Sequence, residues 1–239
     1  MALGLPVVVL AAAVVVPGAA LVDWLATAGP RWDPGRWLDA LGSTLWLSAA
    51  AALASTAAAL PLGVLAARHR DRATRALEGV SYVAHGLPAI VIAISMVSLG
   101  VLLLRPIYQR EPLLILAYTV LFVPLAVGSV RAAVESAPIR LEEVARSLGR
   151  TPVRAFTAVT ARVALPGIAA GAAMVLLTCM KELPVTLLLH PTGTDTLATR
   201  LWGYSSVSDY AAAAPYAAAL LLFAAVPTAL LGAWSVRGD

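Results

Sequence analysis

Two ionisable residues, Lys181 and Glu182, stand side by side in an otherwise apolar run that reaches Pro184. Either charge costs about 2.5–3.5 kcal/mol at mid-bilayer on insertion scales, so the pair must face a bundle interior, a watery path or a partner. Neighbours on a helix point about 100° apart, so the two need not pair with each other. Two readings stay open: an interfacial charge pair beside a proline kink, or a gate or lining of a path near the outer side. Other chemistry finds little support. His69, His85 and His190 are scattered, without the spacing of a transition-metal site. Cys179 is the only cysteine and lies in an apolar run, so neither a disulfide nor a zinc site can form within one chain. There is no His box, no facing pair of catalytic carboxylates and no nucleophile with a base nearby. No phosphate-binding glycine loop is present. The chain therefore reads as a non-enzyme without a cofactor or metal site.

The second informative stretch is 131–164, too polar to span a membrane and too regular for a floppy linker. Residues 136–149 open on a Ser/Pro start signal and end in Gly149. Leu141, Val144, Ala145 and Leu148 recur at i, i+3, i+4 and i+7, which predicts one apolar helical face. Glu142 and Arg146 are placed for an i, i+4 pair on the polar side. Gly149 can take positive φ and end the helix. Thr151 then caps a second short helix with Pro152 at its first position, offering Val153, Phe156 and Thr160 on one side. Two helices joined by a glycine turn make a stiff knob; physics alone favours an amphipathic loop that lies on the membrane or packs under the bundle.

The elements that must carry these residues are set by composition. Of 239 residues 60% are hydrophobic and 13% charged, with mean hydropathy +0.86. A soluble domain carries about 25% charge. The charges here cluster between long apolar runs, as a bilayer requires. We expect an all-α polytopic membrane protein with about six spans, at 3–22, 41–67, 80–104, 113–130, 165–189 and 211–234. Residues 1–40 would hold the first span and an outer loop, and 41–239 a five-span core. The first run lacks a basic leader and reads as a retained span rather than a signal. Arg68, Arg70, Arg72, Arg75, six arginines between 131 and 162, and Arg237 fall on one side. Arg31, Arg36, Arg105, Arg110 and Arg200 fall on the other. The positive-inside rule then puts both termini and the 131–164 loop in the cytoplasm.

The loop resembles the coupling loop of permease subunits of ATP-binding-cassette importers, whose pattern is Glu-Ala-Ala, three residues, Gly, nine residues, then Ile-x-Leu-Pro. Here it reads Glu143-Val144-Ala145, Arg146-Ser147-Leu148, Gly149, and Val159-Thr160-Ala161-Arg162 at the last slot. The final Leu-Pro is replaced, though Leu165-Pro166 follows. The stretch from Lys181 to Trp202 is similar to the matching segment of ferric-iron importer permeases. The permease resemblance covers about residues 40–235. It implies a transport subunit in which Glu143, Ala145 and Gly149 shape the knob, and helix 152–160 with Phe156 enters a cleft on a separate cytoplasmic ATPase. It also implies an external binding protein, a plasma-membrane location and alternating access. Lys181, Glu182 and Pro184 would line or gate the path. Only the second half of the usual fused permease is resembled, so the chain would pair with another copy or a separate half, or be a fragment. Iron(III) is the expected cargo. Thiamine, a polyamine or an oxyanion are alternatives within the class, and an ion-coupled transporter or membrane enzyme outside it.

Overall fold

The structure, a computed structural model, describes the backbone of residues 4–28, 32–69 and 71–236. Arg31, Arg70 and Arg237, used above for orientation, and the side chain of His85 lie outside the described residues. All regular structure among the described residues is helical: α1 (Gly4–Ala28), α2 (Pro34–Arg68), α3 (Arg72–Gly86), α4 (Ala89–Leu102), α5 (Glu111–Glu135), α6 (Ile139–Ser147), α7 (Pro152–Ala158), α8 (Thr160–Met180), α9 (Pro184–Leu189), α10 (Leu197–Ser206) and α11 (Tyr210–Val236). Among them α2, α5 and α8 are long and apolar enough to cross a bilayer, and shorter apolar stretches lie at 11–27, 89–102 and 210–225. The protein is a multi-pass membrane protein, as its composition requires.

Two expected spans are not single helices. The third, 80–104, is divided between α3 and α4 at Leu87-Pro88, where Pro88 is extended (φ −58°, ψ 135°). Proline supplies no N–H and biases its predecessor away from helix. The fifth, 165–189, stops at Met180, and α9 restarts with Pro184 in its first turn. By contrast Pro17, Pro61, Pro124 and Pro166 sit inside continuous helices. Within these two expected spans the breaks come where proline stands two residues after Gly86 or two after the charged pair Lys181-Glu182.

The chain forms two compact units, Leu45–Gly193 and Met1–Thr44 with Thr194–Asp239. In the first, α5 is the central element. Leu113, Leu114, Tyr118, Val127, Val130 and Val134 are all almost fully buried, as befits a helix that is apolar all round. Small residues let its neighbours approach closely. A Cβ placed on Gly63 of α2 would lie 2.7 Å from that of Val130, and one on Gly167 of α8 2.8 Å from that of Ala133. At Gly171 it would collide with Ser129. Such contacts are how helices associate where lipid removes the hydrophobic drive between them. Gly171→Val should force α8 off α5 at about 1–3 kcal/mol, read as a lower melting temperature of the purified protein. Gly42, with open space around its Cβ position, provides the control: Gly42→Val should melt close to wild type. Equal melting of both variants would refute the tight α5–α8 contact.

In the second unit Ala40, Leu197, Tyr216 and Ala219 form the core. Thr44 Oγ1 donates to the Ala40 carbonyl at 2.7 Å and accepts from Leu197 N at 2.8 Å. It thereby satisfies one of the free N–H groups at the start of α10, and a Thr196–Thr199 capping box satisfies others.

Candidate functional site

Local chemistry builds the knob between α5 and α8 as the spacing predicts. Gly149 has φ +84°. Its N–H donates to Arg146 O at 3.0 Å, and Arg150 N donates to Ala145 O at 3.2 Å, the paired bonds of a Schellman ending. Two residues on, Thr151 Oγ1 accepts from Arg154 N at 3.4 Å, with Pro152 opening α7. Both helix ends at the corner are therefore hydrogen-bonded, and the corner is stiff. The helices carry alanine inward, Ala145 on α6 and Ala155 on α7, both buried. Leu141, Val144 and Leu148 share the expected face with Ala145 but are left 48%, 56% and 80% exposed.

Three expectations for the knob change. Thr160 does not extend the face of α7, because the chain turns at Val159 and Thr160 begins α8. Phe156 is half-buried and lines an apolar groove with Leu60, Val64, Val134 and Leu165. The outward apolar residue of α7 is Val153, 72% exposed. Glu142 does not turn to Arg146. Its Oε1 accepts from Arg68 Nη2 at 2.7 Å and from Thr160 Oγ1.

That last contact reveals a junction of three elements. Arg68 is the last residue of α2, Glu142 lies in the first turn of α6 and Thr160 is the first residue of α8. Arg68 Nη2 also donates to Thr160 Oγ1 at 3.0 Å, and Nη1 to Ala137 O at 3.4 Å. The Arg68 and Glu142 side chains are only 15% and 18% exposed. A pair so shielded is held by its hydrogen bonds as much as by charge, and removing one partner strands the other. Glu143, the residue that aligns with the family pattern, points to solvent instead. Arg68 entered the sequence reading only as a marker of sidedness. Thr160 lies 18 residues beyond Glu142 across two turns, so no spacing rule could have joined them.

The second candidate is the break between α8 and α9. Lys181 is exposed and Glu182 half-buried. The Glu182 carboxylate accepts from Val185 N at 3.2 Å, capping α9. Thr186 Oγ1 donates to the Glu182 carbonyl and also meets the hydroxyl of buried Tyr118 on α5. The single threonine proton is used on the carbonyl, so Tyr118 is the donor to Thr186. Pro184 opens α9 and lies in the same turn. Cys179 is buried in the last turn of α8. His190 places Nδ1 3.0 Å from Thr186 O, which accounts for it structurally.

The described residues thus form an all-helical bundle with a stiff, basic knob ahead of α8. A chain of the methionine transporter MetNI superposes with TM-score 0.70 at 19% identity over 87% of this chain and 98% of that one. A chain of a bacterial alginate ABC transporter, solved with an alginate-pentasaccharide-bound periplasmic protein, gives 0.72 at 17% identity over 99% and 93%. At these identities the likeness concerns the fold. Sequence defines the relationship: the chain belongs to the family of inner membrane components of binding-protein-dependent transport systems, whose model matches residues 59–236. The match takes in the knob, the Arg68 junction and the 181–183 break. The Fe(3+)-transport system permease protein FbpB 2 of Haemophilus influenzae is 36% identical over 225 residues, 93% of this chain and 44% of that protein. The molybdate/tungstate transport system permease protein WtpB of Pyrococcus abyssi is 31% identical over 137 residues, 57% of this chain and 54% of that protein. The chain thus spans about half the length of these relatives.

Proposed function

We propose that this chain forms half of the membrane channel of an ATP-driven importer, for iron(III) handed over by an external binding protein. The observation that carries the reading is the stiff corner at Gly149, which holds Leu141, Val144, Leu148 and Val153 uncovered. Apolar side chains fixed on a rigid corner and ringed by arginines are the makings of a central anchor in a protein interface. The knob docks in a cleft on a separate ATPase subunit, on the cytoplasmic side favoured by the arginine distribution. ATP binding draws two such knobs together and opens the bundle outward; hydrolysis reverses the motion. A second permease half completes the path. The cargo reading rests on the iron(III) permease relative. The molybdate/tungstate relative supports an oxyanion as the second reading.

Sidedness is tested with Arg140→Cys in a Cys179→Ser background. A membrane-impermeant maleimide should label inverted vesicles and leave intact spheroplasts unlabelled. Labelling of the spheroplasts would put the knob out of an ATPase's reach and end this reading. Uptake of radiolabelled iron(III) against molybdate in cells expressing the whole transport system then decides the cargo.

The break at 181–183 makes a separate prediction. Glu182→Ala removes the cap of α9, worth about 1 kcal/mol, and should lower uptake while ATPase capture stays at wild-type level. Normal uptake would leave Glu182 no part in the path.

A further inference from the structure

α7 and the first turns of α8 border two concavities of opposite character. One, of about 670 Å³, is lined by Arg150, Arg154, Thr157 and Arg162 together with the glycine corner. The other, of about 500 Å³, is the apolar groove containing Phe156, with Leu60, Val64, Val134, Leu165 and Ile168. Ala158 and Arg162 edge the first while Phe156, Ala161 and Leu165 edge the second, so the two adjoin along one helical corner.

Among the described residues none of these three arginines has a carboxylate within ion-pair distance. Of the acids in the loop, Glu142 is committed to Arg68 and Glu135 to Arg131, and Glu143 is exposed to solvent. Three guanidinium groups around one hollow repel one another and suit an anion with several oxygens, which arginine binds through paired N–H groups. The depth of the hollow is set by α8. From Arg162 that helix passes at once into Val163 and Leu165, 45% and 63% exposed, at the start of a segment able to cross the bilayer. Basic pockets at such a level read anionic headgroups.

We infer that the two concavities together hold one anionic phospholipid. Its phosphate sits among Arg150, Arg154 and Arg162, and an acyl chain follows Leu165 into the groove beside Phe156. The inference needs that α8 spans the membrane and does not depend on cargo; Leu148 and Gly149 edge the hollow, so a docked ATPase would border the lipid headgroup.

The test is native mass spectrometry of the full chain released from nanodiscs containing equal phosphatidylglycerol and phosphatidylcholine. Wild type should retain phosphatidylglycerol, and the combined variant Arg150→Gln/Arg154→Gln/Arg162→Gln should retain about tenfold less or lower. The corresponding triple lysine variant, which keeps the charge, should retain most of it. Retention by wild type should also fall as salt is raised before release, a readout that needs no variant to fold. Equal retention by the glutamine variant, or a preference untouched by salt, would overturn the assignment. So would displacement of the lipid by excess inorganic phosphate, which would mark a soluble-anion site. Loss of ATPase capture by the glutamine variant with lipid retention unchanged would overturn it too, since the arginines would then face protein.

Discussion

Replacing Gly149 with valine should cut transport by about tenfold or more while the protein reaches the membrane at its normal level. The residue stands at φ +84° with no atom within 4 Å of the position a Cβ would take. The penalty therefore comes from the backbone and not from crowding. An L-residue in the left-handed region costs about 1–2 kcal/mol, and β-branching adds to it. A factor of ten in an equilibrium corresponds to about 1.4 kcal/mol, so a penalty of that size lowers the ratio of closed to open turn about tenfold. Both bonds of the ending, Gly149 N to Arg146 O and Arg150 N to Ala145 O, depend on this dihedral. The ranking of variants carries the argument. Asparagine tolerates the left-handed region better than alanine, so uptake should fall in the order Gly149, Asn, Ala, Val although asparagine is larger than alanine. Uptake measured with the whole transporter, against membrane content by immunoblot, decides it. Wild-type uptake by the valine variant would remove the corner from the mechanism.

The two adjacent glutamates should separate cleanly. Glu142→Gln keeps an acceptor oxygen but removes the countercharge, leaving the largely shielded Arg68 cation with neutral partners only, Thr160 Oγ1 and the Ala137 carbonyl among them. Breaking a fully buried pair costs about 3–5 kcal/mol. Residual exposure of 15% and 18% admits solvent screening, and about 1–3 kcal/mol is the discounted expectation. The purified permease should therefore melt earlier, and Arg68→Gln should do the same. The double variant should cost less than the sum of the singles, because each has already lost the same charge pair. Glu143→Gln, one residue along and exposed, should leave the melting temperature unchanged and weaken ATPase capture. Unchanged melting of Glu142→Gln, or additive losses in the double variant, would show that the junction does not hold the loop.

Legibility followed the range of the forces. The knob was readable because its parts are local: a cap at Thr151, a proline at 152 and a left-handed glycine at 149 each act within four residues, and the apolar face repeats within one helix. The family pattern covers the same short stretch. The Arg68 junction was invisible because its partners meet only after three elements have packed, and Glu142 looked satisfied by Arg146 on its own helix. Phe156 illustrates the same limit, since its spacing placed it on α7 but only packing turned it toward α2 and α5. The breaks at Leu87-Pro88 and 181–183 were missed because averaging hydropathy over a long window smooths across them, while prolines such as Pro61, Pro124 and Pro166 stay within intact helices.

Connectivity gives the junction a consequence for how the protein is made. Arg68, Glu142 and Thr160 leave the ribosome in that order, separated by 74 and 18 residues. A nascent chain that has not yet delivered Thr160 can bring the first two together, yet it lacks the hydroxyl that ties them to the next helix. On the proposed reading, the knob offered to an ATPase is consequently finished late, once the segment that follows it has entered the membrane.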